Sequence, residues 1–449
     1  MMKKLYFLFT IMLCGVMPIM AQNTEDSRNK AVFQSTDGNN EVSTDDIQLI
    51  RFEGGKVTVV QPWGETVFDH TLQNLSFSRP QSGTLRLTVD ANINTGNDTH
   101  RAFSIDGSSQ LVSTWESGDV VYVYANDVST TSIGTLTPAT YGSNSARLVG
   151  NINATGLSDN QTLYLETQPR TYSFASQTGS LSNMFYAKAE ATVSITGGNA
   201  TISDATFTRP MAVAKFTLKD KADNGTTLLN AKSLTVTVGS TTYMVTPATP
   251  ANELFVAIPS INTGNVTLTA TVGTDTYLYT KTGVTFENGH YYTIGVKMTR
   301  QAKPEDLGKV IAQNGCIYND ASAATAAGTA AVAVIEYIGN ESDCAHGLAI
   351  ALADEASIMT FSGAATAASN HTAVPGGEWR VPSKSDWEHM AAYLTAHHQG
   401  LTDGSYWTST VKDSDYAYRA IVSGEGNSIV ATQTNNKMES LNVRAVLAF

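Results

Sequence analysis

Eight histidines and forty acidic side chains are raw material enough for acid–base or metal chemistry, but their order along the chain does little with it. No phosphate-cradling glycine loop, no HExxH pair and no GxSxG elbow occurs. His389, His397 and His398 look at first like metal ligands. On an α-helix His389 and His397 stand eight residues apart, roughly 12 Å along the axis, so they cannot share one ion. His397 and His398 are neighbours that would point about 100° apart, which fits a solvated helix end. Asp413 and Asp415 have the alternate spacing of a calcium loop, yet the third acidic position and the turn glycine do not follow. A loop turn explains them, and a calcium site has no motif behind it. The expectation is a non-enzyme with no cofactor.

Trp379, Trp387, Tyr406, Trp407, Tyr416 and Tyr418 fall within forty residues of one another. Aromatic rings on loops are what sugar or protein recognition uses. Trp379, Tyr406, Trp407, Tyr416 and Tyr418 are therefore the candidate ligand-binding residues, with burial in a core as the competing role. Trp387 belongs to a helix instead. Ser383 can cap that helix while Asp386 answers three residues on, a variant of the capping box. Trp387, Met390, Ala391 and Leu394 then share one face, and Gly400 closes the segment. With helical and strand signals mixed, 308–449 reads as an α+β domain. Cys316 and Cys344, both in it, either close a disulfide or stay as two buried thiols.

Upstream the signal is strand after strand. Leu85, Leu87, Val89, Ala91 and Ile93 alternate with polar residues, the period of a half-buried strand. Leu234–Tyr243 and Leu268–Tyr277 repeat one phrase, each with a glycine where a short turn would fall, and so predict two β-hairpins. The region 81–300 is read as a tandem antiparallel β-sandwich. Before it, 46–80 is a small β unit built on two related phrases, Ile47–Phe52 and Leu72–Phe77, and polar 22–45 is a flexible lead. After it, 301–307 is a linker marked by Gln301, Lys303 and Pro304.

Lys3 and Lys4 precede an apolar run from Leu5 to Met20 that ends at Ala21. This is a signal peptide over 1–21, cleaved between Ala21 and Gln22. Gly15 and Pro18 interrupt the run, and it is shorter than the ~20 apolar residues a spanning helix needs. Leu13 stands where a lipoprotein signal has a small residue, so Cys14 is not taken as acylated. No later segment is long and apolar enough to span. The formal net charge of −12 argues against nucleic acid and against docking on anionic lipid.

Several phrases together resemble known modules. Phe103-Ser104-Ile105, Trp115–Val123, Phe207–Leu218, Leu254–Pro259 and Asn288–Ile294 are similar to the landmarks of the fimbrillin family of Gram-negative anaerobes. Gly347–Leu352, Trp379–Ser383 with Trp387, Tyr406–Thr410 and Val443–Phe449 resemble major-paralogous-type domains with a C-type-lectin-like fold. Arg380 and Trp387 also echo the sulfatase-modifying enzyme fold, whose working cysteines near the C-terminal end have no counterpart here.

The first resemblance implies transthyretin-like sandwiches, export to the cell surface, outer membrane or a fimbrium, and partnership with other fimbrial subunits by strand donation. A host or bacterial surface protein or glycan would be met by the last domain. The residue before Cys14 and the extra C-terminal domain favour a tip or accessory adhesin over a shaft subunit. The rivals are an outer-membrane-associated glycan-binding accessory protein and a secreted enzyme, the latter requiring a buried polar cluster in the last domain.

Overall fold

The alternation in Thr84–Ile93 turns its apolar residues inward, with Leu87 and Val89 fully buried, and a curled sheet forms around it. The computed structural model describes residues 30–35, 38–43, 47–53, 56–69, 72–78, 83–93, 104–105, 111–112, 114–181, 184–196, 199–340, 344–397, 400–424 and 428–449. Within these the chain is mainly β. The signal segment with Ala21 and Gln22, Phe103, and His398 lie outside them. No described helix is long and apolar enough to cross a membrane.

The first sandwich orders its strands Lys188–Thr192, Thr162–Glu166, Val121–Tyr124, Gly134–Pro138, Ser145–Asn153, Thr84–Ile93, Asn199–Phe207, Ser194–Thr196. The two outermost strands are consecutive in the chain, and Lys188 bridges to Thr208, so the sheet bends back toward itself. Inside lie the indole of Trp115 and the ring of Phe207, edge to face at 5.3 Å.

The second sandwich has the order Ser176–Gln177, Thr241–Val245, Ser233–Val238, Ile261–Val272, Asp275–Phe286, Tyr291–Arg300, Met211–Asp220, Glu253–Pro259. The repeated phrase forms two hairpins here. Val238 faces Thr241 across Gly239, and Val272 faces Asp275 across Gly273. Those glycines have φ +59° and +61°, the positive value that two-residue hairpin loops need at the first central position. The two copies also lie side by side, Val236 opposite Leu268.

The purely antiparallel expectation is corrected in three places. Asn199–Phe207 runs parallel to Thr84–Ile93, Tyr291–Arg300 parallel to Met211–Asp220, and Ser176–Gln177 parallel to Thr241–Val245. Parallel neighbours need long crossovers, and each pair joins segments far apart in sequence, where local periodicity carries no information about partner choice.

The flexible lead is also corrected. Lys30–Ser35 and Gly38–Ser43 form a hairpin, and Leu72–Ser78 pairs with its first strand, Phe33 in register with Leu75. Averaging composition over the polar lead hid the short run Ala31-Val32-Phe33. The two phrases of the small β unit do not pair with each other. The first falls in a meander of Leu49–Glu53, Lys56–Gln61 and Gly64–Asp69, the second in the other sheet.

Residues 308–449 combine strands with helices. A sheet ordered Ile317–Tyr318, Val310–Ala312, Ala331–Ile338, Gly347–Ala351, Val446–Ala448, Glu378–Arg380 is joined by a second sheet of Gly404–Val411, Tyr416–Ser423 and Ser428–Asn436. Three helices accompany them: α1 (Ala321–Ala326), α2 (Phe361–Ser369) and α3 (Lys384–His397). The capping box forms as drawn from sequence. The Asp386 amide donates to the Ser383 hydroxyl at 3.1 Å, and the Ser383 amide to the Asp386 carboxylate at 2.6 Å. Arg380 pairs with the same carboxylate, its second guanidinium nitrogen at 2.9 Å. Trp387, Met390 and Leu394 are fully buried beneath α3.

Two joints tie the modules together. Residues 175–179 leave the first sandwich and lie between two strands of the second. The amides of Met244 and Thr246 donate to the carbonyls of Ala175 and Gln177, and the Phe255 amide to that of Gly179. Buried Gln177 exchanges two further bonds with the Ala257 backbone, at 2.8 and 2.9 Å. At the other joint the expected linker is a short turn closed on Asp306, which is fully buried. Its carboxylate accepts from Arg300 at 2.7 and 2.9 Å, from Lys309 at 2.8 Å and from the Lys303 amide at 3.0 Å. Burial alone would raise the Asp306 carboxyl, but the bonds from Arg300 and Lys309 outweigh it and hold it down at about 2. Lys303 reaches back to Asp275 at 2.8 Å, and Tyr318 donates to the Ala222 carbonyl at 2.8 Å.

Candidate recognition sites

The five aromatic candidates separate by depth. Trp407 is fully buried, its indole N–H donating to the Met359 carbonyl at 2.8 Å and its ring edge-on to Phe361 at 5.6 Å. Tyr406 is equally buried, and its hydroxyl donates to Asp354 at 2.9 Å. Trp379 is nearly buried, bonded through its indole to the Thr372 carbonyl and tilted against His371 at 4.5 Å. These three are core residues, which corrects the expectation that they meet a ligand. The reason is local. Tyr406 and Trp407 are adjacent in Gly404–Val411, whose burial runs without alternation through Thr408 because helices and the six-stranded sheet cover both faces.

Tyr416 and Tyr418 remain at the surface. They share one face of Tyr416–Ser423, with the ammonium of Lys412 over the first ring at 5.9 Å and that of Lys384 over the second at 5.7 Å. The neighbouring Asp413 is an Asx turn. Its carboxylate accepts from the amides of Asp415 and Tyr416 at 3.0 and 2.8 Å, which lowers its pKa. Lys437 occupies the carbonyls of Asp413 and Ser414. Among the described residues no group of three or more His, Cys, Asp or Glu is arranged to hold a metal ion. His389 is stacked on Tyr337 at 4.8 Å.

Cys316 and Cys344 are separate thiols, which resolves the two readings against a disulfide. They sit in different apolar clusters. Burial pushes the Cys316 thiol up to about 11, leaving it inert as a nucleophile, and the Cys344 sulfur lies 3.6 Å from the Gly339 carbonyl.

A buried polar cluster does exist in the last domain. Asp354 accepts from Tyr406 and from Arg444 at 2.9 Å each, and Arg444 is itself 2% exposed. Nearby Glu336 is 1% exposed, and neither of its carboxylate oxygens has a hydrogen-bond partner among the described residues. Burial raises it to about 8 against the pull of the Arg444 charge. Arg444 and Glu336 are enclosed, whereas the Asp354 side chain is 23% exposed at the edge of the cluster.

A cavity of about 290 Å³ opens on the first sandwich, where no candidate was expected. Its floor is Glu166, 6% exposed, which accepts from Arg170 at 2.6 Å and from the Tyr186 hydroxyl at 2.8 Å. Arg170 also donates to the carbonyls of Asn126 and Ser129, and its guanidinium lies 4.2 Å from the Tyr124 ring centre. Burial, with the bond to Glu166, raises the Tyr186 phenol well above its ordinary value. Phe174 packs against Tyr172 at 4.8 Å and Tyr186 at 5.6 Å. The only sequence sign was the run of aromatics at Tyr164, Tyr172, Phe174 and Tyr186 around Arg170, which carries no fixed spacing.

No protein-family model matches the chain, and no curated protein does. Among solved structures it is similar to a fimbrial protein from Bacteroides ovatus, at 11% identity and a TM-score of 0.29 over 82% of this chain and 99% of that one. It is also similar to a fimbrial assembly protein from Parabacteroides distasonis, at 13% identity and 0.26 over 49% and 94%. A third is the shaft pilin SpaA of Lactobacillus rhamnosus GG, at 10% identity and 0.20 over 49% and 100%. At scores this low the likeness assigns neither fold nor function.

Proposed function

We propose that this chain is an exported, non-enzymatic surface adhesin, a fimbrial tip or accessory component in which two β-sandwiches form a stalk for a terminal C-type-lectin-like domain. The observation that carries the reading is the pair of closed joints. An adhesin must transmit pull from its ligand to its base, and modules on slack linkers would swing instead. Here residues 175–179 are bonded into the second sandwich, and Asp306 locks Arg300 to Lys309. The signal segment, the acidic charge and the fimbrillin-like phrases agree with a place on the cell surface, with other fimbrial subunits as neighbours.

The recognition surface within this reading is the outer face of Tyr416–Ser423, where Tyr416 and Tyr418 stand beside Lys384 and Lys412. Cells displaying the full chain should bind a host or bacterial surface, and deletion of 308–449 should abolish that binding. The double substitution Tyr416→Ala and Tyr418→Ala in the full chain should weaken it with the fold intact. Adhesion unchanged in both variants would remove recognition from this domain.

A further inference from the structure

The cavity on the first sandwich is distinct from the proposed adhesive face, and its chemistry is specific enough to name a ligand class. We propose that it binds one neutral pyranose unit of a glycan.

Charge excludes the simpler ligands. Arg170 is paired through Nε with Glu166 and gives Nη1 to two backbone carbonyls, so its charge is neutralised and three of its five N–H donors are engaged. Of the other ionisable groups lining the cavity, Lys188 is positive while Asp127 and Glu190 are negative. With Glu166 against Arg170, the lining carries one net negative charge, which disfavours phosphate, sulfate or an acidic peptide. A purely apolar ligand would have to desolvate Gln168 and the charged rim without replacing their hydrogen bonds.

A pyranose suits what remains. Its ring C–H face stacks on an aromatic face, and its hydroxyls donate to carboxylate or amide oxygens and accept from phenols. Tyr172, 40% exposed, supplies an open ring. The hydroxyls of Tyr164 and Tyr172 make no hydrogen bond within the described residues, and each Glu166 oxygen, holding a single bond, keeps acceptor capacity. The volume of about 290 Å³ lies just below the roughly 300–1,000 Å³ of small-molecule pockets, room for one ring and not a long chain.

The wall is also held in advance. Tyr172 and Phe174 directly precede the segment bonded into the second sandwich, and the Tyr172 amide donates to the Pro169 carbonyl at 2.7 Å. A loop tied at both ends loses little freedom on binding.

The test is saturation-transfer NMR on the full chain with a panel of neutral methyl glycosides, and with inorganic phosphate and lysine amide as competitors. At least one glycoside should show saturable transfer that Tyr172→Ala weakens at least about tenfold with the melting temperature lowered by no more than about 4 °C. Glu166→Gln should weaken it as well, and neither competitor should displace it. No transfer to any glycoside, transfer indifferent to Tyr172→Ala, or displacement by phosphate or lysine amide would overturn the proposal. The adhesin reading is separate: a chain that adheres through 308–449 and binds no glycoside keeps that reading and loses this one.

Discussion

In the last domain the large rings turn inward. Trp387, Tyr406 and Trp407 are fully buried, and the Trp407 indole and the Tyr406 hydroxyl are committed to backbone or carboxylate partners. Around the cavity of the first sandwich Tyr164, Tyr172 and Phe174 stay near the surface, gathered about an ion pair that is satisfied by Tyr186 and two carbonyls. Equal aromatic density in sequence thus serves two purposes. The deciding variable is coverage: two sheets and two helices enclose the first cluster, whereas Tyr172 and Phe174 of the second lie on the loop that leads into the second sandwich.

The comparison breaks most visibly through stability. Trp407→Ala should cost about 3–5 kcal/mol, read as a lower denaturant midpoint, whereas Tyr172→Ala should cost about 1 kcal/mol or less. Equal costs would mean that both clusters are core.

The joint beside the last domain comes next. Asp306→Asn leaves Arg300 and Lys309 without their shared carboxylate and should cost about 3 kcal/mol, with faster amide exchange over 300–309. Because its folded pKa is depressed to about 2 from 3.8, this stabilisation is present above pH 3.8 and is lost as pH falls through 2. An acid titration of Asp306→Asn should lack that component.

Glu336 has the opposite sign. Its folded pKa is raised from 4.5 to about 8, so the folded state holds a proton that the unfolded state releases. Its contribution is full below pH 4.5 and declines as pH rises through 8. Glu336→Gln should therefore stabilise the chain at pH 8 relative to the parent by roughly 1–3 kcal/mol, with little change at pH 4.5. Matching pH profiles in parent and variant would show that the carboxyl is solvated.

The smallest effect is on the outer face of Tyr416–Ser423. Tyr416→Ala with Tyr418→Ala should move stability by about 0.5 kcal/mol or less while lowering adhesion. A loss of stability as large as that of Trp407→Ala would place these rings in the core as well.

Much of the architecture was legible because it is local. Period-two alternation located Thr84–Ile93, the repeated glycines located two hairpins, and Ser383 with Asp386 located the start of α3. Partner choice was not legible. The three parallel pairings and the insertion of 175–179 between strands of another module depend on contacts that no local pattern encodes. The site was legible only in part. Composition marks Tyr406 and Trp407 as it marks Tyr416, and their burial follows from a strand covered on both faces. Glu166 ends the strand Thr162–Glu166 and Arg170 lies four residues on in the loop after it, a spacing whose ion pair is braced by Tyr124 from another strand and by Tyr186 from the segment before Lys188–Thr192.

The most direct test of the central claim is immunogold electron microscopy of the native host, with an antibody against 308–449 and a deletion strain as control. The account predicts label at the cell surface, concentrated at filament ends and absent from the deletion strain. Label confined to the cell interior, or spread along filament shafts, would contradict it.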